Sequence, residues 1–266
     1  MVKLFIDEVV EWVLKRIKKL KCRAKVLDYS IGRSYSYVLV GDDRGRSLGL
    51  ALTPIEDIIG CKLTPSRRPS IGNLPEMVSS INPLEKVLGV ALLNALSSHL
   101  LWRVNDTDRL RVEFGDLLEL TCKLVEEPIM VVGNMAPLVR SLKEHGFERI
   151  YVTERNPSFR CGISLPDNVF LRLIGSCRSL VVTGATLVND TIDLFLEFRG
   201  NSKLLLVGPT ASIHPKPAFK LGVSAIASLA VEDIDSTIEV IKLGGSRWDF
   251  TRYCRQYLIL PKTHEL

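Results

Sequence analysis

The stretch Leu180-Val181-Val182-Thr183-Gly184-Ala185-Thr186-Leu187-Val188-Asn189-Asp190-Thr191 limits what this chain can fold into more than any other. A short apolar run breaks at a glycine between hydroxyl-bearing residues and then passes through Asn-Asp-Thr into the apolar-periodic segment 192–198. That order predicts a buried strand, a small polar turn and a helix entered through a capping residue. The same grammar occurs twice more. Residues 203–207 stop at Gly208-Pro209-Thr210-Ala211-Ser212, and residues 129–132 stop at Gly133-Asn134-Met135-Ala136-Pro137 ahead of an amphipathic segment at 137–145. With further strands at 149–153 and 224–228 and a helix at 231–243, the alternation predicts an α/β fold with a mostly parallel, doubly wound sheet.

In an open sheet of that kind ligands bind outside the carboxyl ends of the strands. The turns after residues 132, 153, 183 and 207 should therefore face one crevice. Its candidate ligand-binding residues are Gly133, Asn134, Glu154, Thr183, Gly184, Thr186, Asn189, Thr191, Gly208, Pro209 and Thr210. Gly133 allows a sharp turn, and the helix behind it offers N–H groups to an anion. The full GxGxxG pattern is absent, so no pyrophosphate cradle is specified. Glu154 stands about 20 residues further on, at the end of the second strand, where Rossmann proteins hold a ribose. S-adenosylmethionine and NAD both carry such a diol; the other reading is a carboxylate paired with Arg155 or Arg160. Thr183, Thr186, Asn189 and Thr191 exceed what one helix cap requires, which favours a ligand. His214, followed by Lys216, is the candidate for acid/base catalysis or metal ligation, with Glu154 and Asp190 as further candidate metal ligands. No nucleophile elbow, P-loop or HExxH motif occurs.

The first half of the chain reads differently. Residues 2–20 form an amphipathic helix, and the strand-like segments 24–40 and 47–53 flank the turn Gly41-Asp42-Asp43-Arg44-Gly45 as an antiparallel hairpin. Residues 54–75 lose periodicity, and Arg67 and Arg68 there reach either an anion or only water. Asn82-Pro83 opens a helix to about residue 101, kept slim by Ala91 and Ala95, on which His99 reads as a satisfied histidine rather than a metal ligand. A further helix is expected at 115–124. Glu126-Glu127-Pro128 is the expected hinge, dividing the chain into domains at 1–127 and 128–266. The tail 247–260, with Trp248, Phe250, Tyr253 and Tyr257, should pack back on the body.

Composition narrows the function classes. Over 266 residues the formal charge is only +5. The basic cluster at 15–25 reads as a solvated helix face, so no nucleic-acid partner is expected. Six cysteines without a CxxC or a zinc-type spacing point to a reducing, cytoplasmic setting, the other reading being a disulfide in a thermophilic cytosol. Charges interrupt the amino terminus where a signal peptide needs an apolar core. The charge-free run 87–102, about 16 residues against the roughly 20 that span a bilayer, reads as a buried helix, so no membrane partner is expected. The aromatic tail and the slim helix offer apolar surface for a homodimer.

The string Thr183-Gly184-Ala185-Thr186-Leu187-Val188-Asn189-Asp190-Thr191 and the turn Gly208-Pro209-Thr210-Ala211 resemble the paired signatures of a domain-of-unknown-function family associated with heavy-metal chelation. Arg46-Ser47-Leu48-Gly49-Leu50-Ala51 and Glu85 through Ala95 resemble its amino-terminal companion domain. The resemblance covers nearly the whole chain. It implies an enolase-N-terminal-like α+β domain followed by a Rossmann-like domain, and the binding or handling of a metal or metal chelator. The expected function is therefore cytoplasmic binding of a small anionic metabolite, a metal ion or a metal chelate in the crevice. The alternative is an enzyme using S-adenosylmethionine or a nicotinamide cofactor. A chelate asks less of the sequence than a bare ion, because hydroxyls, amides and backbone N–H groups suffice for it.

Overall fold

The computed structural model of the chain describes residues 3–59 and 64–262. Cys61 and the start of the arginine-bearing loop, Lys62-Leu63, lie outside them.

Three strands, β1 (Lys25–Ser30), β2 (Tyr35–Asp42) and β3 (Gly45–Leu52), form an antiparallel sheet in the order β1-β2-β3. The expected hairpin is β2–β3. Asp42 pairs with Gly45 across a two-residue turn, the Asp42 carboxylate accepts the Arg44 N–H at 2.8 Å, and Gly45 takes φ +126°. The segment expected as one strand from 24 to 40 is two, because the chain reverses at Gly32. A Cβ there would lie 2.3 Å from the Tyr35 carbonyl oxygen, so only glycine fits the bend.

β2 is buried on both faces because each packs on something different. Tyr35, Tyr37 and Leu39 join Leu48 and Leu50 against Ile234, Ile241 and Phe250. Val38, Val40 and Ala51 face the opposite way, into the core built around the helix Pro83–Trp102. That helix begins where expected, with the Asn82 side chain accepting the Leu84 N–H at 2.9 Å. At 20 residues it is long and apolar enough to cross a bilayer, yet 94% of its most apolar window is buried against the rest of the chain. The first-turn residues Pro83–Lys86, which carry two charges, account for the length beyond the charge-free run. Arg67 is committed to Glu85 at its start, at 3.0 Å, and is a structural ion pair rather than an anion contact.

The larger sheet has eight strands in the order β4-β11-β10-β9-β8-β5-β6-β7. These are β4 (Leu110–Phe114), β5 (Ile129–Val132), β6 (Ile150–Glu154), β7 (Ser164–Pro166), β8 (Ser179–Thr183), β9 (Lys203–Val207), β10 (Ala225–Val231) and β11 (Cys254–Pro261). From β7 to β10 all neighbours are parallel; β11 and β4 add on antiparallel. Along the parallel strands side chains alternate between two cores. Met130, Val132, Leu180 and Val182 join the core that holds the helices Phe5–Lys19, Pro83–Trp102 and Ile192–Phe198, while Ile129, Val131 and Val181 join that of Leu117–Cys122 and Ala136–Glu144. The tail packs back as expected, but as a strand. β4, from the segment before Pro128, completes the same edge.

Candidate functional site

β5 lies between β6 and β8, so the chain winds outward from it in one direction to β7 and then, from β8, in the other to β10. This is the strand order of dinucleotide-binding folds, and the reversal between β5 and β8 leaves a crevice beyond their carboxyl ends. A cleft of about 580 Å³ occupies that place, within the roughly 300–1,000 Å³ of small-molecule sites.

Seven of the sequence candidates line it: Gly133, Asn134, Glu154, Thr183, Thr186, Asn189 and Thr191. Gly133 ends β5 at φ +91°, and a Cβ there would sit 2.9 Å from Thr183 Cγ2. The two strand ends at the switch point thus touch through this glycine. Gly133→Ala is expected to lower the melting temperature by about 2–8 °C in a thermal scan, from the left-handed backbone alone; an unchanged melting temperature would contradict this backbone conformation.

Glu154 is not paired with Arg155 or Arg160. One carboxylate oxygen accepts the Asn134 N–H at 2.7 Å and the other the Asn156 N–H at 2.8 Å. Arg155 instead grips Asp57, at 2.6 Å, and Arg160 bonds the Glu154 carbonyl, at 2.7 Å. Two other amides of the β5 turn are also committed: Gly133 N–H to the Thr153 carbonyl and Met135 N–H to the Gly133 carbonyl, both at 2.8 Å. Pro137 has none to give. On the β8 side, Thr186 donates to the Thr183 carbonyl at 2.8 Å and the Thr191 hydroxyl to Asn189 Oδ1 at 2.7 Å.

The rest of the lining comes from segments that no motif marks. Tyr35, Phe159, Phe170, Leu171, Leu194, Phe195 and Trp248 supply apolar walls. Arg247 contributes a cation that has no carboxylate partner among the described residues, and its guanidinium lies over the Trp248 ring, 4.0 Å from the centroid. Burial lowers its pKa, but an arginine stays charged. Burial also pushes the neighbouring Tyr35 phenol up to about 12, against the pull of Arg247, so it remains a neutral donor. Thr153 Oγ1 lines the cleft fully buried and without a hydrogen-bond partner.

The remaining sequence candidates lie elsewhere. Gly184 is a contact point: a Cβ would come within 2.4 Å of the Ala211 N, so the two glycine-bearing turns press on each other. In the facing turn Thr210 is buried and its hydroxyl accepts the Leu52 N–H at 2.9 Å, while Pro209 lines a separate depression of about 120 Å³. The turn at Gly208 therefore joins the two sheets instead of facing the cleft. Asp190 pairs with Lys86 on the Pro83–Trp102 helix. His214 is fully buried against the Trp12 ring, 4.4 Å between centroids, and its Nε2 lies 3.4 Å from Asp106, whose carboxylate also holds Arg16 and Lys216. Glu154, Asp190 and His214 do not converge. Among the described residues one group of metal-type ligands does, Cys22, Asp42 and His99, with ligand atoms within 4.8 Å of one another. It lies in the amino-terminal half, outside the cleft.

Comparison with known proteins bears on both places. A family model described as "Putative heavy-metal chelation" (DUF364) matches residues 116–260, and a second with the same description (DUF4213) matches residues 8–97. An uncharacterized protein of Methanocaldococcus jannaschii is 32% identical over 262 residues, covering 96% of this chain and 97% of that protein. A crystal structure of a DUF364-family protein of unknown function from Pyrococcus horikoshii is 28% identical, with a TM-score of 0.79 over 94% of this chain and 98% of that one. Another, from Desulfitobacterium hafniense, shares the fold at 18% identity, with a TM-score of 0.72 over 95% and 98% of the two chains.

Proposed function

This chain belongs to the DUF364 family, described as "Putative heavy-metal chelation", and from that premise we propose that the cleft at the β5/β8 switch point binds a small anionic organic molecule, free or as a metal chelate. The family description and the Cys22, Asp42 and His99 group support metal or small-molecule binding in general. The cleft itself does not suit a bare ion: its one sequence-marked carboxylate, Glu154, is engaged by two backbone N–H groups. The observation that carries the anionic reading is Arg247, a partly desolvated cation without a carboxylate partner beside the neutral Tyr35 phenol. A buried charge is costly unless something pairs with it, and an anionic ligand would do so. Aromatic walls would bury the ligand's apolar part, and the unpartnered Thr153 hydroxyl and the Thr183 hydroxyl would fix its orientation.

An adenosyl or nicotinamide cofactor is the second reading, favoured by the strand order and by Glu154 at the end of β6. It is the weaker, because the carboxylate that would hold a ribose is taken by the Asn134 and Asn156 N–H groups, and the Gly133 and Met135 N–H groups that would cradle phosphates bond backbone carbonyls.

Thermal shift of untagged protein against S-adenosylmethionine, NAD and iron and nickel citrates separates the two. A ligand at 100 times its dissociation constant stabilises the fold by about 2.7 kcal/mol. We expect that shift from an anionic chelate or its free chelator, and at least tenfold weaker binding in Arg247→Gln. A shift from S-adenosylmethionine or NAD that Arg247→Gln leaves intact would overturn the proposal.

A further inference from the structure

We propose that Cys22, Asp42 and His99 form a site for a divalent transition ion of the zinc class, built into the amino-terminal half and separate from the cleft. Three rigid elements bring the ligands together. Cys22 follows the helix Phe5–Lys19, Asp42 ends β2 at the hairpin, and His99 stands near the end of the helix Pro83–Trp102. Thiol, carboxylate and imidazole atoms lie within 4.8 Å of one another. The Asp42 side chain is 1% exposed and His99 is fully buried, while Cys22 is half-buried and leaves an entry from solvent.

The His99 ring supplies an independent observation. Its Nδ1 is 3.2 Å from the Ser47 hydroxyl, which orients the ring as an outer-shell partner orients a metal-bound imidazole. Its Nε2 then points at Asp42 Oδ1, 3.1 Å away, yet lacks hydrogen-bond alignment and has no partner. In the tautomer whose Nδ1–H is donated to Ser47, Nε2 presents its lone pair beside the Asp42 carboxylate, and a cation between the two would reconcile them. On the carboxylate's other oxygen, Cys22 Sγ lies at 3.8 Å.

Donor chemistry selects the ion. Sulfur, imidazole nitrogen and a carboxylate oxygen together suit Zn(II) and its neighbours, with a fourth position left for water or an incoming chelator, and not Mg(II) or Ca(II). Burial keeps His99 neutral by lowering its pKa and keeps the Cys22 thiol protonated by raising its own. Hydrogen bonds and the His99 ring hold Asp42 ionised although burial opposes it. Coordination therefore releases one proton, from the Cys22 thiol to solvent, and leaves a divalent ion with one thiolate and one carboxylate, a neutral site. Arg44, 3.6 Å from Asp42, and Arg103 are the cations that face it. They disfavour a weakly held hard ion more than one bonded to sulfur.

The test is calorimetric titration of the full, untagged and reduced chain with Zn(II), alongside Co(II) titration followed by near-ultraviolet absorption. We expect one ion per chain and a thiolate-to-cobalt charge-transfer band. Cys22→Ser should abolish the band and weaken Zn(II) binding more than tenfold, since even an outer-shell change costs about 10–100-fold, while circular dichroism shows the fold retained. Cys161→Ser, at an exposed cysteine, should change neither. No uptake of Zn(II), or a band that survives Cys22→Ser, would overturn the assignment. Neither outcome touches the cleft, whose ligand is read through Arg247.

Discussion

Gly49→Ala is expected to destabilise the protein by about 3 kcal/mol or more, the upper end for overpacked cores. A Cβ at Gly49 would lie 2.1 Å from both the Ala91 carbonyl oxygen and the Ala95 N, and 2.7 Å from the Ala95 Cα. Overpacking is usually relieved by side chains that swing aside. Here every obstructing atom is helix backbone, so the whole Pro83–Trp102 helix must retreat from β3. That retreat would also break the bridge made by Asn94, whose amide donates to the Leu50 carbonyl at 2.7 Å and to the Thr210 carbonyl at 2.9 Å. Urea unfolding monitored by circular dichroism measures the loss. Gly72→Ala, with nothing within 4 Å of the added carbon, should stay within about 0.5 kcal/mol of the parent. A Gly49→Ala loss below about 1 kcal/mol would mean that the helix does not press on β3 as described.

The same close approach explains which parts of the molecule were legible in the sequence. The central parallel strands announce themselves because both faces are buried, so Ile129–Val132 and residues 204–207 read as unbroken apolar runs ending at glycines. β4 and β11 do not. Arg111 and Glu113 alternate with apolar neighbours on an edge strand, and Cys254–Pro261 is held between β10 and β4, the second of them far away in sequence. The signature turns were recognisable as a pair, but their residues divide by task. Thr183, Thr186, Asn189 and Thr191 line the cleft, whereas Gly184 and Thr210 hold the two turns and β3 together. Arg247, Tyr35 and Thr153 reach the cleft from three separate segments, and no spacing rule connects them. Cys22, Asp42 and His99 are likewise too far apart in sequence for any ligand motif, which is why His99 reads alone as a core histidine.

His214 stands out in the sequence because it follows the Gly208-Pro209-Thr210 turn, and its neighbourhood carries the second large effect. Asp106, with its side chain 1% exposed, accepts Arg16 Nε at 2.6 Å and Lys216 Nζ at 2.7 Å, with His214 Nε2 at 3.4 Å. Burial would push this carboxyl up, but His214, Arg16 and Lys216 outweigh it and hold the pKa far below the ordinary 3.8. Asp106→Ala strands these cations, and breaking such a buried network costs about 3–5 kcal/mol; the partial exposure of Arg16 and Lys216, 24% and 19%, favours the lower figure. The pH dependence separates charge from packing. Because the folded pKa of Asp106 is depressed, its contribution is complete above pH 3.8 and is lost as the pH falls through the folded value. Glu85, held at about 2 by hydrogen bonds from Ser66 and Ser80 despite its burial, loses its share between 4.5 and about 2. Burial depresses the His214 pKa below 6.5, so keeping it neutral adds stability above 6.5 that is lost on acidification below it. Asp106→Asn, which keeps the shape, should therefore flatten the stability profile below pH 4. It should also steepen the profile just below 6.5, since the carboxylate that favours protonated His214 is gone. Urea titrations across this pH range give both slopes. A profile unchanged below pH 4 would remove Asp106 from the network, and His214 would again need a role of its own.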